Sequence, residues 1–327
     1  MDSKIKLSII VPVYNVEDWL SRCLVSLLKQ DIKYCYYEVI IINDGSTDKS
    51  EAIAETFAAL HNNVHLFNKP NGGLSDARNY GLSKANGKYI WFVDSDDWVE
   101  ENVLGQLIET AINNNLDVLC FGLKLRYEDG SSKEYPIANR SKGIISTGVS
   151  FIQNVDMPPA AWCAIYKKEF LFNNHLFFMT GILHEDQEFT PRAYLLSSRI
   201  CYFPQHIYNY FQREGSIMKS DNSKRKTNDL IKIADSLYDF LNKQNLDPTA
   251  KGWLLDRIAF IVGQSLTHSI KARIDMSSIK RKPYMPLKYR NENHWSIKFK
   301  YQLINISPTA YVKIYRIISG IKNIIHL

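Results

Sequence analysis

Four short apolar runs, each ending in a turn and three of them followed at once by a segment of helical period, fill the first hundred residues and constrain the fold more than anything else in the chain. Leu7 to Val13 is the near-continuous apolar run that a strand buried on both faces requires. Val16 to Gln30 follows, with Trp19, Leu20, Cys23, Leu24, Leu27 and Leu28 at the spacing of one helical face. Tyr37 to Asn43 repeats the strand pattern, the turn Asp44 to Asp48 follows, and Lys49 to Leu60 reads as a helix with Asp48 and Glu51 as a capping pair. Val64 to Phe67 leads through Asn71-Gly72-Gly73 into a helix over about Leu74 to Ala85, and the fourth run starts at Tyr89. Such alternation predicts an α/β fold: a mostly parallel sheet covered by helices on both faces, with ligands at the carboxyl ends of its strands.

The polar signals fall at those ends. The run from Tyr89 ends in Asp94, Ser95, Asp96 and Asp97. Side chains alternate along a strand, so Asp94 and Asp96 leave it on one side and suit a single hard cation, Mg²⁺ or Mn²⁺, which would neutralise a bound diphosphate. The same acids also suit a solvated turn. Asp97 and Glu100 have N-cap and N3 spacing ahead of Asn102 to Ile108, which assigns Asp97 to a helix cap. Neither G-x-G-x-x-G after the first strand nor G-x-x-x-x-G-K-[ST] is present, which argues against dinucleotide oxidoreductases and P-loop enzymes.

A diphosphate leaving group calls for a separate carboxylate to take the proton of an attacking hydroxyl. Glu185 and Asp186 supply candidates, and adjacent helical residues point about 100° apart, so one of them, Asp186, is expected to face the reacting centre as the base, with Glu185 orienting groups or serving as the alternative. An acidic first helical turn would give the same pattern. Asp44 can accept hydrogen bonds from a base or ribose, or shape the turn with Gly45. Arg78 can meet phosphate or remain an ordinary surface arginine. His184 and His206 are candidate third metal ligands, and Tyr14 and Trp162 can stack on a base or pack in the core.

Beyond Asp117 to Leu123 a hairpin is expected through Glu128 to Ser132, and polar residues around Ser220 to Lys226 mark a boundary between domains at 1–220 and 221–327. Thr227 to Lys271 looks helical and amphipathic. Residues 221–327 hold 19 Lys+Arg against 8 Asp+Glu, whereas residues 1–220 hold 21 against 26. A basic tail suggests an anionic partner, of which membrane lipid and nucleic acid are the two classes. Five unpaired-looking cysteines fit a reducing compartment, no run of 18 apolar residues occurs, and the first strand starts so near Met1 that no secretory segment is expected. The expected location is cytoplasmic, or peripheral on the inner face of the membrane.

Together these segments resemble inverting family 2 glycosyltransferases of the GT-A fold, the group that includes bacterial polysaccharide and lipopolysaccharide sugar transferases. The resemblance is carried by Ile10 to Asn15, Asn43 to Asp48, Asn71 to Asn79, Asp94-Ser95-Asp96, His184-Glu185-Asp186 and Arg213 to Ser216, in order over about 220 residues. It implies a GT-A-type nucleotide-binding sheet covered by helices, to which the helical pattern beyond residue 220 adds a mainly helical C-terminal extension. It implies that Pro12, Val13, Tyr14, Asn15, Glu17 and Asp44 surround the base and ribose, usually uridine, and that Asn71, Gly73, Arg78 and Ser95 line the donor pocket. Asp94 and Asp96 match the D-x-D site for Mn²⁺ or Mg²⁺, Asp186 the catalytic base, and Arg213 and Ser216 a loop that closes over the diphosphate. The implied partners are a nucleotide sugar and a glycan acceptor, lipid-linked in one version, and no nucleic acid. Asp76 departs from the pattern, standing where a small residue is usual. A sugar-phosphate nucleotidyltransferase would place a glycine-rich basic loop where Pro12 to Asn15 stands, and retained Asp94, Asp96 and Asp186 argue against a non-catalytic glycan-binding protein.

Overall fold

A computed structural model describes residues 5–138, 143–213, 222–288 and 295–315. They group into two compact units, one of residues 5–181 and 185–213, the other of 182–184 and 222–315.

The first unit is built on one sheet. Strands β1 (Leu7–Val13) and β2 (Tyr37–Asn43) have every residue buried, as their near-continuous apolar sequences require. β3 (Val64–Asn68) pairs parallel with β2, and β4 (Tyr89–Phe92) parallel with β1. Helices α1 (Leu20–Leu28), α2 (Ser50–Leu60) and α3 (Leu74–Lys84) connect these strands. The chain continues through β5 (Trp98–Val99), α4 (Leu104–Asn113), β6 (Val118–Tyr127), β7 (Ser132–Glu134), α5 (Gly148–Asn154), β8 (Ala164–Lys167), α6 (Lys168–Asn173), α7 (Asp186–Leu196) and β9 (Ile200–Gln212). The sheet order is β3-β2-β1-β4-β8-β6-β9-β5, with β7 on β6 as the expected hairpin.

The sheet is mixed rather than mostly parallel. β8 enters antiparallel to both β4 and β6, while β6 and β9 run parallel and β5 antiparallel to β9. Strand and helix no longer alternate singly after Asp117, which is where the parallel rule loses its basis. β4 and β5 are separated by five residues of chain but by three strands of sheet. Those strands would span about 19 Å if flat, close to the reach of a fully extended linker, and this linker is folded into a turn. The sheet therefore curls and brings β9 back over the end of β4.

Helix starts differ from the local cap signals. α1 begins four residues later than its periodicity suggests, because the Val16 and Glu17 amides donate to Ser50 Oγ and Asp48 Oδ2 at 2.9 and 3.0 Å. Asp48 Oδ1 does accept from the Ser50 amide, but Glu51 turns to Asn68 instead of completing a capping box. α4 is capped by Gln30 and Asp31, which accept from the amides of Val103, Leu104 and Gly105. Asp97 does not cap it.

In the second unit, α8 (Ser223–Lys243) packs on α9 (Pro248–Ala272), and Ser265 Oγ donates to the Thr227 carbonyl at 2.8 Å. Asp247 caps α9 ahead of Pro248. α10 (Trp295–Ile306) and a helical stretch over 308–315 follow. Among the described residues no helix is long and apolar enough to cross a membrane.

Candidate active site

The centre of the site is Arg78, which is fully buried in α3. Its Nη2 donates to Asp94 Oδ1 at 2.7 Å, and its Nη1 to Glu185 Oε1 and Asp186 Oδ1 at 2.7 and 3.1 Å. The guanidinium lies 5.0 Å from the ring centroid of Phe178. Arg78, expected either at the surface or on the donor, is thus enclosed by three carboxylates and joins the strand-end acids to the Glu-Asp pair. Glu185 and Asp186 both reach this guanidinium. Glu185 sits just before α7 and Asp186 opens it, and one forked guanidinium nitrogen reaches both.

Burial sets the proton affinities. It raises Asp186 to about 7, with Glu185 and Asp94 adding to the rise and Arg78 opposing it. Asp186 nevertheless keeps 19% of its side chain open, against 8% for Glu185. Burial also raises Glu185 and Asp96, the latter helped by Asp94 and opposed by Arg213.

Asp94 to Asp97 form a turn past the end of β4, closed by the Asp97 amide on the Asp94 carbonyl at 3.1 Å. Strand alternation therefore does not aim Asp94 and Asp96. Asp94 goes to Arg78, and Asp96 Oδ2 accepts from Arg213 Nε at 2.7 Å. Arg213 also covers Trp19, 4.1 Å from its ring centroid. Ser95 is buried in the turn. Asp97 points inward: Tyr208 Oη donates to its Oδ2 and the Phe211 amide to its Oδ1, both at 2.7 Å. The Tyr208 hydroxyl also accepts from the Asp94 amide and so braces the turn from β9. Tyr208 stacks on Trp162 with centroids 4.4 Å apart, which places Trp162 in packing rather than open to a ligand.

At the neighbouring strand ends, Pro12 and Val13 are buried, whereas Tyr14 is 51% exposed and Asn15 adopts φ +51°. Asn15 Oδ1 accepts from the Thr47 amide, and Glu17 Oε2 from the Lys49 amide, which ties the first two loops together. Asp44 is buried and accepts from the amides of Gly72 and Gly73, while Asn71 Nδ2 donates to its carbonyl. Lys69 pairs with Asp44 and with Asp76. Lys69 and Tyr208 are the residues the sequence reading missed. Lys69 stands directly before the glycine turn, which was a usable signal; Tyr208 lies in an aromatic strand that gave none.

Among the described residues no group of three or more His, Cys, Asp or Glu could hold a metal ion. His206 pairs with Glu134, and His184 belongs to the second unit, where burial lowers it to about 4. Neither supplies a third ligand to Asp94 and Asp96. A two-carboxylate site still fits a divalent cation that takes its remaining ligands from phosphate and water. Arg78 and Arg213 each use one oxygen of Asp94 and Asp96, which leaves the second oxygen of each, and the side chains are 23% and 24% open. All five cysteines are free. Ser216 lies outside the described residues.

Residues 8–172, half of the chain, match the family described as Glycosyl transferase family 2. The chain is 33% identical over 223 residues to the glycosyltransferase GlyA of Streptococcus pneumoniae, a match covering 65% of this chain and 32% of that protein. It is 32% identical over 226 residues to the uncharacterized glycosyltransferase YibD of Escherichia coli, covering 67% of this chain and 65% of that one. The matched stretch thus spans less than two thirds of either relative. In structure it resembles residues 1–349 of Staphylococcus aureus TarS, solved in complex with UDP-GlcNAc. The TM-score is 0.66 at 25% identity, covering 85% of this chain and 78% of that one.

Proposed function

The chain belongs to glycosyltransferase family 2, and from that premise we propose that it moves a sugar from a UDP-sugar to a hydroxyl of a glycan acceptor in surface polysaccharide synthesis, with inversion at the anomeric carbon. The observation that carries the reading is Arg78, which holds the strand-end Asp94 and the Glu185-Asp186 pair in one charged cluster. The UDP-GlcNAc bound to the TarS structure supports a uridine nucleotide as donor.

In this reading Asp186 is the base. It is the more open of the pair, and burial raises its affinity for a proton to about 7, in the range where a carboxylate serves best as a general base near neutral pH. The acceptor oxygen bonds to the anomeric carbon as that carbon's bond to the diphosphate oxygen breaks. Asp186 takes the hydroxyl proton, and UDP leaves with the bonding pair. Glu185 and Arg78 orient Asp186. Mn²⁺ or Mg²⁺ held by Asp94 and Asp96 would supply positive charge to the diphosphate. Tyr14 offers an open aromatic face to the base, Asp44 an acceptor, and Arg213 a cation beside Asp96.

Residues 1–220 are the catalytic domain in this reading, and 221–327 a basic, mainly helical region that rests on the cytoplasmic face of a membrane, where a lipid-linked acceptor would be found. Phe299 and Ile306, seven residues apart and so on one face of α10, are exposed, as are Lys298 and Lys313. Apolar contact with flanking cations is what an anionic bilayer surface recognises.

The deciding experiment is donor turnover across a panel of nucleotide sugars, with Mn²⁺ or with EDTA, for wild type, Asp96→Ala and Asp186→Asn. Turnover of UDP-sugars that EDTA and both substitutions suppress is expected. Turnover indifferent to EDTA and to Asp96→Ala would remove the metal site, and no turnover of any nucleotide sugar would remove the assignment.

A further inference from the structure

Lys69 is almost enclosed by oxygens. Its side chain is 12% exposed, and its ammonium lies 2.5 Å from Asp44 Oδ1, 2.6 Å from Asp76 Oδ2 and 2.6 Å from the Pro70 carbonyl oxygen. Each of its three N–H donors thus has an acceptor. Asp44 takes the Gly72 amide on Oδ1 at 2.9 Å and the Gly73 amide on Oδ2 at 2.8 Å. Oδ1 therefore receives two donors from the protein and Oδ2 one. Each carboxylate oxygen has about two acceptor directions, so Oδ2 keeps one for a ligand.

The glycine turn is shaped around this arrangement. Gly73 has φ +87°, a conformation costly for other residues, and a Cβ at Gly72 would lie 2.4 Å from Asp76 Oδ2. Asp76 itself sits in the first turn of α3, where a carboxylate is favoured by the helix dipole, and is therefore stationed independently of Lys69. The residue that departs from the family pattern is the one that fixes the lysine.

We propose that Lys69, held by Asp76, is a positioning residue for the donor nucleotide: by gripping Oδ1 it fixes the Asp44 carboxylate and with it the remaining acceptor direction of Oδ2, so that the pocket takes a base presenting an N–H and disfavours one presenting a lone pair at the same place. The proposal rests on the UDP-sugar reading above. Uracil presents its imide N–H, and cytosine a bare nitrogen, so the lock separates UDP from CDP. Lys69 does not touch the reacting atoms. Its loss removes binding shared by ground and transition states, which raises KM and leaves kcat.

The test measures UDP and CDP binding by calorimetry, with Mn²⁺ present, together with donor kinetics, on the full chain as wild type, Lys69→Met, Lys69→Arg and Asp76→Ala. Lys69→Met should weaken UDP binding about 10- to 100-fold, the worth of a charge-assisted hydrogen bond, and narrow the preference for UDP over CDP. Its kcat at saturating donor should stay within about threefold of wild type. Lys69→Arg should recover most of the affinity, and Asp76→Ala should lose a smaller factor than Lys69→Met. UDP binding unchanged in Lys69→Met and Asp76→Ala, or a lower kcat with KM unchanged, would overturn the proposal. If Lys69→Met does not fold, Asp76→Ala and Lys69→Arg carry the same readout, and wild-type affinity together with wild-type UDP preference in both overturns it. A wild type that binds no UDP rejects the donor reading and this inference together. A wild type that binds UDP, with variants that match it, rejects the lock alone.

Discussion

Replacing Arg78 by Met should destabilise the protein by about 3–5 kcal/mol at pH 8, the cost of removing one partner from a buried ionic cluster. Three carboxylates, at 2.7, 2.7 and 3.1 Å, lose their common cation while the apolar volume is roughly kept. The loss should depend on pH with a fixed sign. Asp186 already holds its proton up to about 7, and Arg78 opposes that rise, so without Arg78 the rise is larger. A carboxyl raised in the folded state stabilises the fold at low pH and loses that contribution as pH climbs through its folded value. The variant gains more from acidification than wild type does. Its deficit should shrink by about 1 kcal/mol per raised carboxyl between pH 8 and pH 6, since a tenfold change in proton affinity is worth about 1.4 kcal/mol. Urea unfolding at pH 6, 7 and 8, with midpoint and slope both recorded, measures this. A deficit below about 1 kcal/mol, or one equal at pH 6 and pH 8, would refute the idea that Arg78 compensates these acids.

Transfer by wild type should increase with pH through about 7 as Asp186 gives up its proton, and Asp186→Asn should lower kcat by about 10²- to 10⁴-fold while UDP binding persists, which pH–rate profiles and calorimetry would check. Tyr208→Phe should cost about 1–3 kcal/mol in urea unfolding, because the buried Asp97 loses a donor and the Asp94 amide an acceptor. Binding to anionic vesicles should be present at low salt and fall at high salt, and Phe299→Ser should weaken it at both; flotation that finds no binding at low salt ends the membrane reading.

The parts of the fold legible in the sequence are those set by local pattern. Leu7 to Val13 and Tyr37 to Asn43 are buried on both faces, so their apolar runs have no competing explanation, and the strands coincide with the runs. Asp97 shows where local pattern misleads. Its spacing to Glu100 is that of a cap, yet its partners are Tyr208 and Phe211, more than a hundred residues away, and the cap of α4 comes from Gln30 and Asp31. A carboxylate has the same sequence signature whichever donor reaches it first. Arg78 is the same case: nothing within its own helix distinguishes a surface arginine from one closed in by Glu185 across the unit. The order of motifs did carry information that single residues lacked, because Asp94, Arg78 and Asp186 converge although they arise from three separate segments.

Among the described residues, the four carboxylates Asp94, Asp96, Glu185 and Asp186 form ion pairs with two arginines, Arg78 and Arg213. Without further cations the cluster sheds charge by retaining protons, which is the upward shift that burial and mutual repulsion give Asp96, Glu185 and Asp186. On the proposed reading a diphosphate adds more negative charge, and a divalent cation held by Asp94 and Asp96 would supply positive charge against it. Arg78 holds Asp94 by Nη2, and Glu185 and Asp186 by Nη1. Arg78 thus divides the cluster into a pair suited to metal and diphosphate and a pair suited to holding and moving a proton. On that reading the raised proton affinity of Asp186, the more open member of the second pair, is the one an acceptor hydroxyl would meet.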